Sequence, residues 1–148
     1  RQSCIYGPRQ FGVEDQGWVA WFAIAATLGR DITIFGDGKQ VRDVLHVDDL
    51  LLAYEAAIRA PDKIASEAFN VGGGPRQILS LIDLIEMLER KFDRKIPVQW
   101  VGWRPGDQQI DISDSRKLDH VLGWKPELGV TAGIGQLIDW VGQNRAAF

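Results

Sequence analysis

Short extended runs alternate with helix-patterned segments along almost the whole chain, and no other feature narrows the fold as much. A chain built this way lays helices on a sheet, which is the α/β class rather than all-α or all-β. The extended runs are 1–6, 32–35, 41–46, 68–71 and 97–101, rich in β-branched and aromatic residues. Turn signals follow most of them: Gly7-Pro8, Gly36-Asp37-Gly38 and Gly72-Gly73-Gly74-Pro75. Residues 109–112 are a further candidate for extended structure. Helical spacing marks 16–28, where Trp18, Val19, Trp21, Phe22, Ala25 and Ala26 recur and Gly29 stops the run. That segment is apolar nearly all round, which predicts heavy burial. A helix over 50–60 is predicted behind an Asp48 cap and ends at Pro61. Ser80 and Asp83 form a capping-box pattern ahead of Leu81, Leu84, Ile85, Leu88 and Phe92 on one face. A short helix follows a cap at Asp114 or Ser115 and stops at Gly123. Thr131 is the predicted cap of a last helix carrying Ile134, Leu137, Ile138 and Val141. With no repeat and no linker, residues 1–148 read as one unit.

Composition excludes several classes. Hydrophobic residues make up 45% and charged residues 25% of 148, the balance of a folded domain. The longest strongly apolar stretch, 18–28, is too short to span a bilayer. A net charge of −3 argues against broad capture of nucleic acid. The single cysteine, Cys4, excludes an internal disulfide and suits a reducing cytoplasm. His46 and His120 offer no metal-ligand spacing. The chain opens at Arg1 on a strand-like run, so it reads as beginning inside a fold.

Two stretches point to an anion. Arg42 lies on a short strand between aliphatic neighbours, and a buried guanidinium needs a partner. It either pairs with Asp43, Asp48 or Asp49, or presents its fork to a phosphate, and spacing alone favours the ion pair. In Trp103-Arg104-Pro105-Gly106-Asp107 the Pro-Gly turn brings Arg104 and Asp107 onto one loop. They suit a phosphate and a ribose hydroxyl, or simply a surface pair. The Gly72–Gly74 run lacks the spacing of a dinucleotide or P-loop cradle, and a turn explains it more simply. Cys4 reads as an inert thiol and His46 as a satisfied core histidine. No Tyr-x-x-x-Lys occurs, since Gln10 follows Tyr6 and Ile58 follows Tyr54 at that spacing.

Four motifs then stand in order: Arg1-x-Ser3-x-x-Tyr6-Gly7-Pro8, Ile34-Phe35-Gly36-Asp37-Gly38-x-Gln40-x-Arg42-Asp43, Phe69-Asn70-Val71-Gly72-Gly73 and Arg104-x-Gly106-Asp107. This order resembles the C-terminal half of the extended short-chain dehydrogenase/reductase family of nucleotide-sugar epimerases and dehydratases. Within it, Arg9-Gln10-Phe11, Asp15-Gln16-Gly17-Trp18-Val19 and 38–46 are similar to the CDP-sugar 2-epimerase subgroup.

The resemblance implies the substrate-binding portion of a Rossmann-type enzyme, a small sheet with packed helices. An N-terminal half, absent from these residues, would hold NAD and the Tyr/Lys acid–base pair. No catalytic, cofactor-binding or metal-binding residue is then expected in this chain, and the chain alone is expected to be inactive. The parent reaction would be transient oxidation to a keto-sugar and return of hydride to the opposite face. A 4-epimerase, a 4,6-dehydratase or a non-catalytic binding protein are the alternatives. The implied partner is a nucleotide-diphosphate sugar, in a cytoplasmic homo-oligomer. By the same resemblance, Arg42 and Arg104 match the diphosphate-binding arginines and Asp107 the ribose-binding carboxylate. Phe35 matches the residue whose backbone reads the base edge, and Gln16 and Gly17 line the pocket. Gln40, Cys4 and Gln77 complete the set, the last two standing where many relatives have Asn.

Overall fold

The computed structural model describes residues 1–148. Its elements are β1 (Cys4–Tyr6), α1 (Trp18–Leu28), β2 (Ile32–Phe35), β3 (Val41–His46), α2 (Val47–Arg59), α3 (Pro61–Ile64), β4 (Ile78–Ser80), α4 (Leu81–Phe92), β5 (Val98–Val101), β6 (Ile110–Asp111), α5 (Arg116–Leu122) and α6 (Val130–Gln143). Strand β3 is the hub of the larger sheet. It pairs in parallel with β1 (Cys4 opposite Val44) and with β6 (Val41 opposite Ile110), and antiparallel with β4 (Val41 opposite Ser80). A separate parallel pair joins β2 to β5, with Phe35 opposite Val101. No helix is long and apolar enough to cross a membrane.

Helix α1 explains where the core lies. Its residues from Val19 through Thr27 are buried apart from Trp21, as an all-round apolar helix requires. It packs with the apolar faces of α4 (Leu84, Ile85, Leu88) and α6 (Ile134, Leu137, Ile138, Val141), and with Ile32 and Ile34 of β2. A smaller cluster of Leu45, Leu50, Ala53, Leu118 and Trp124 closes the other side of β3.

Local departures from the sequence reading have identifiable causes. Helix α2 begins at Val47, because the His46 side chain accepts the Asp48 N–H (3.3 Å) and takes the capping place expected of Asp48. Asp48 and Asp49 instead fall in the first turn, where they complement the helix dipole. Helix α6 is entered through Gly129, so Thr131 lies inside the helix and not at its cap. Residues 68–71 do not form a strand. Only Val71 bridges, donating to Arg1 O (2.8 Å) and accepting from Ser3 N (3.0 Å), before the chain turns at Gly72. The Ser80–Asp83 capping box is present, with the Ser80 hydroxyl accepting the Asp83 N–H and the Asp83 carboxylate accepting the Ser80 N–H.

Candidate functional site

Two cavities flank the β3 hub, and the sequence-predicted residues fall mainly in one. A cleft of about 270 Å³ is lined by Glu14, Asp15, Gln16, Gly17, Trp18, Phe22, Thr33, Phe35, Gln40, Arg42, Leu81, Arg104 and Asp107. Seven candidate residues therefore meet in one place: Gln16, Gly17, Phe35, Gln40, Arg42, Arg104 and Asp107.

Strand β3 delivers Arg42. Successive strand residues point to opposite faces, so Arg42 faces the cleft while Asp43 turns inward. None of the expected acidic partners reaches Arg42. Asp43 accepts from Gly74 N (2.9 Å) and Ser113 N (3.2 Å), Asp48 lies beside His46, and Asp49 accepts from Glu127 N and Leu128 N. The Arg42 guanidinium donates instead to two carbonyls, Val41 O (2.9 Å) and Gln108 O (2.7 Å). These fix its position and leave its charge without a counter-ion.

The β2–β5 pair delivers the facing wall. Ile32 N and Gly36 N donate to Pro97 O and Val101 O, so the alternation of a parallel ladder turns the Phe35 N–H toward the side of β2 that has no partner strand. Gln40 Nε2 donates to Phe35 O, while the buried Gln40 Oε1 has no partner. Glycine is required at position 36: its φ is +82°, and a Cβ there would meet the Trp103 ring at 2.6 Å. That close approach seats the 102–109 loop against β2. It sets the Arg104 guanidinium 3.4 Å from the centroid of the Phe35 ring. Arg104 Nη1 also lies 3.2 Å from Asp15 Oδ1. Asp107 is linked to Arg104 only through the backbone, its N–H donating to Arg104 O (3.2 Å), so the alternative of a side-chain surface pair between them does not hold.

Cys4 and Gln77 are not among the residues that line this cleft. Cys4 adjoins the cleft through Trp18, whose indole N–H donates to Sγ (3.1 Å), and burial pushes its thiol above the usual range against the opposing pull of Trp18 and Arg42. Gln77 lines the other cavity, about 790 Å³, and donates to Leu128 O (2.8 Å). The charged groups there are largely paired already, Arg116 with Asp114 and Lys125 with Asp119. The sequence assigned no site role to Glu14, or to Asp15 although it stands in a quoted motif, and Trp18 and Phe22 read as core. Position beside Gln16-Gly17 was the one signal for the acidic pair. An all-round apolar helix carries none for the aromatics.

The comparisons agree on one family. The profile of the NAD dependent epimerase/dehydratase family matches residues 1–72. CDP-paratose 2-epimerase of Salmonella typhi is 37% identical over 145 residues, spanning 95% of this chain and 43% of that protein. dTDP-glucose 4,6-dehydratase 1 of Escherichia coli is 28% identical over 145 residues, spanning 94% of this chain and 39% of that protein. UDP-glucuronic acid 4-epimerase from Bacillus cereus, solved with UDP-glucuronic acid and NAD, superimposes with a TM-score of 0.84 at 29% identity. That match covers 97% of this chain and 44% of that one. The chain thus spans less than half the length of these relatives.

Proposed function

The chain belongs to the NAD dependent epimerase/dehydratase family, and on that premise we propose that its cleft holds the nucleotide of a nucleotide-diphosphate sugar in an epimerase. The observation that carries this reading is the meeting of Arg42 and Arg104 on one cleft, with the Arg42 charge unmatched by any carboxylate. Two guanidiniums repel unless an anion sits between or beside them. A diphosphate supplies that charge and accepts from both planar forks. The Phe35 N–H and the Gln40 amide offer a donor and an acceptor to a base edge, and the Asp107 carboxylate accepts from ribose hydroxyls. The sugar then projects out of the cleft, so these residues bind and orient and move no proton.

The residues do not fit NAD. The one glycine-rich turn, Gly72–Gly74, leads into a three-residue helical turn and not into a helix of useful length. A Cβ at Gly72 would collide with Ser3 Oγ, Ser113 Oγ and Asp43 Oδ2, and the Gly74 N–H is spent on Asp43. A buried carboxylate occupies the place where a pyrophosphate would need positive charge. We therefore assign the cofactor and the acid–base chemistry to residues outside these 148.

The finer reading is a CDP-sugar 2-epimerase, supported by the 37% identity with the Salmonella enzyme over nearly the whole chain. A 4-epimerase or 4,6-dehydratase is the second reading, favoured by the Bacillus and Escherichia relatives. Because the diphosphate is held alike in ground and transition states, its loss raises KM more than it lowers kcat. A charged hydrogen-bonded contact of about 1.5–3 kcal/mol corresponds to a roughly tenfold to over a hundredfold rise in KM. We expect that rise for Arg42→Ala in the enzyme that contains this chain, partly recovered in Arg42→Lys. An unchanged KM with a lowered melting temperature would remove Arg42 from the site.

A further inference from the structure

The two arginines of the cleft differ in their partners. Arg42 meets only carbonyls, whereas Arg104 is paired with Asp15 across the mouth of the cleft. Asp15 stands on the Val13–Gln16 turn, fastened by reciprocal backbone hydrogen bonds of 2.9 and 3.0 Å. Arg104 stands on the opposite wall, held over the Phe35 ring. Both ends line the cleft, and the Asp15 side chain is 85% exposed against 35% for Arg104. The pair is thus accessible to an incoming anion. The cleft it lines has a volume of about 270 Å³, below the roughly 300–1,000 Å³ of ligand sites.

From this arrangement we propose that Asp15 is an internal counter-ion that sets the affinity of the cleft, so that a nucleoside diphosphate binds by exchange, its phosphate taking Arg104 from the Asp15 carboxylate. The inference rests on the nucleotide-diphosphate reading of the cleft. Asp15 mimics one phosphate and spares Arg104 an unmatched charge. A monophosphate reaches Arg42 without disturbing the pair. A diphosphate must engage both arginines and give up the Asp15–Arg104 contact. Asp15 therefore lowers affinity for diphosphates in particular, and more than a carboxylate that is merely nearby. Glu14 provides that comparison, since it lines the same cleft on the same turn without an ion-pair partner.

Titration calorimetry of the protein with cytidine diphosphate and cytidine monophosphate, at one low ionic strength, tests the exchange. Asp15→Asn is expected to tighten the diphosphate roughly two- to fivefold, the range that an exposed pair of up to about 1 kcal/mol supports. The monophosphate is expected to change less, and Glu14→Gln to give a smaller gain than Asp15→Asn. In an Arg104→Ala background the Asp15→Asn gain should vanish. The exchange is overturned if Asp15→Asn leaves diphosphate binding unchanged or weaker, if Glu14→Gln gains as much, or if the gain survives without Arg104. Failure of the unaltered protein to bind cytidine diphosphate would overturn the nucleotide reading itself, and the exchange with it.

Discussion

At the scale of single residues, β3 separates charge by alternation. Arg42 and Asp43 are adjacent in sequence and face opposite sides of the strand. That alternation was legible, and so was the need of Arg42 for a partner. The partners were not. Asp43 is met by Gly74 and Ser113, and Asp49 by Glu127 and Leu128, contacts that span tens of residues and leave no mark on local spacing. His46 shows the same limit. Its Nδ1 caps α2, but the buried Nε2 has no partner, so it is not the satisfied core histidine that its position suggested. Burial lowers its pKa, against the opposing pull of Asp48 and Asp49. A histidine whose folded pKa is depressed binds more protons when unfolded. Its contribution is therefore present above the unfolded value, about 6.5, and is lost as pH falls below it. We expect the melting temperature to fall between pH 7.5 and 5.5, and His46→Asn to flatten that slope. The paired carboxylates cannot produce it, because Asp114, held near 2 by Arg116, and Glu67, lowered by Lys117, titrate at lower pH. An identical slope in the variant would assign the effect to other groups.

At the scale of elements, long amphipathic or all-apolar helices were readable, because their periodicity repeats over several turns. α1 and α4 fall where the pattern places them. The capping box of α4 was visible in Ser80 and Asp83 and forms in full. Ser80→Ala removes the acceptor for the Asp83 N–H. We expect a cost of about 1 kcal/mol, or roughly 2–4 °C of melting temperature for a chain of this size. Thermal unfolding followed by circular dichroism checks it, and an unchanged midpoint would mean that solvent replaces the cap without loss. Short elements carried too little signal. β4 has three residues and was not anticipated; it exists because β3 offers it backbone partners, whereas the two-residue β6 lies inside the extended candidate 109–112 and also pairs with β3. Residues 68–71 had strand composition but found a single bridge at Val71. At β4 and at 68–71, backbone pairing that depends on distant segments overrode propensity.

At the scale of the molecule, the site is made where two small sheets face each other. The larger sheet brings Arg42, and the β2–β5 pair brings Phe35 and, through the loop after β5, Arg104 and Asp107. No local pattern joins these segments. The order of four weak motifs along the chain pointed to one pocket, and seven of nine candidates do line one cleft. Cys4 and Gln77 do not line it, since a position matched by motif carries no information on which way its side chain turns. The central claim is that this cleft, and not the larger cavity beside Gly72–Gly74, receives a diphosphate. A crystal structure of the protein with cytidine diphosphate tests it most directly. The account predicts phosphate oxygens within hydrogen-bond distance of both Arg42 and Arg104, with the base against the free edge of β2 at Phe35. Phosphates seated instead beside Arg76 and the Gly72–Gly74 turn, with the Arg104–Asp15 pair undisturbed, would contradict it.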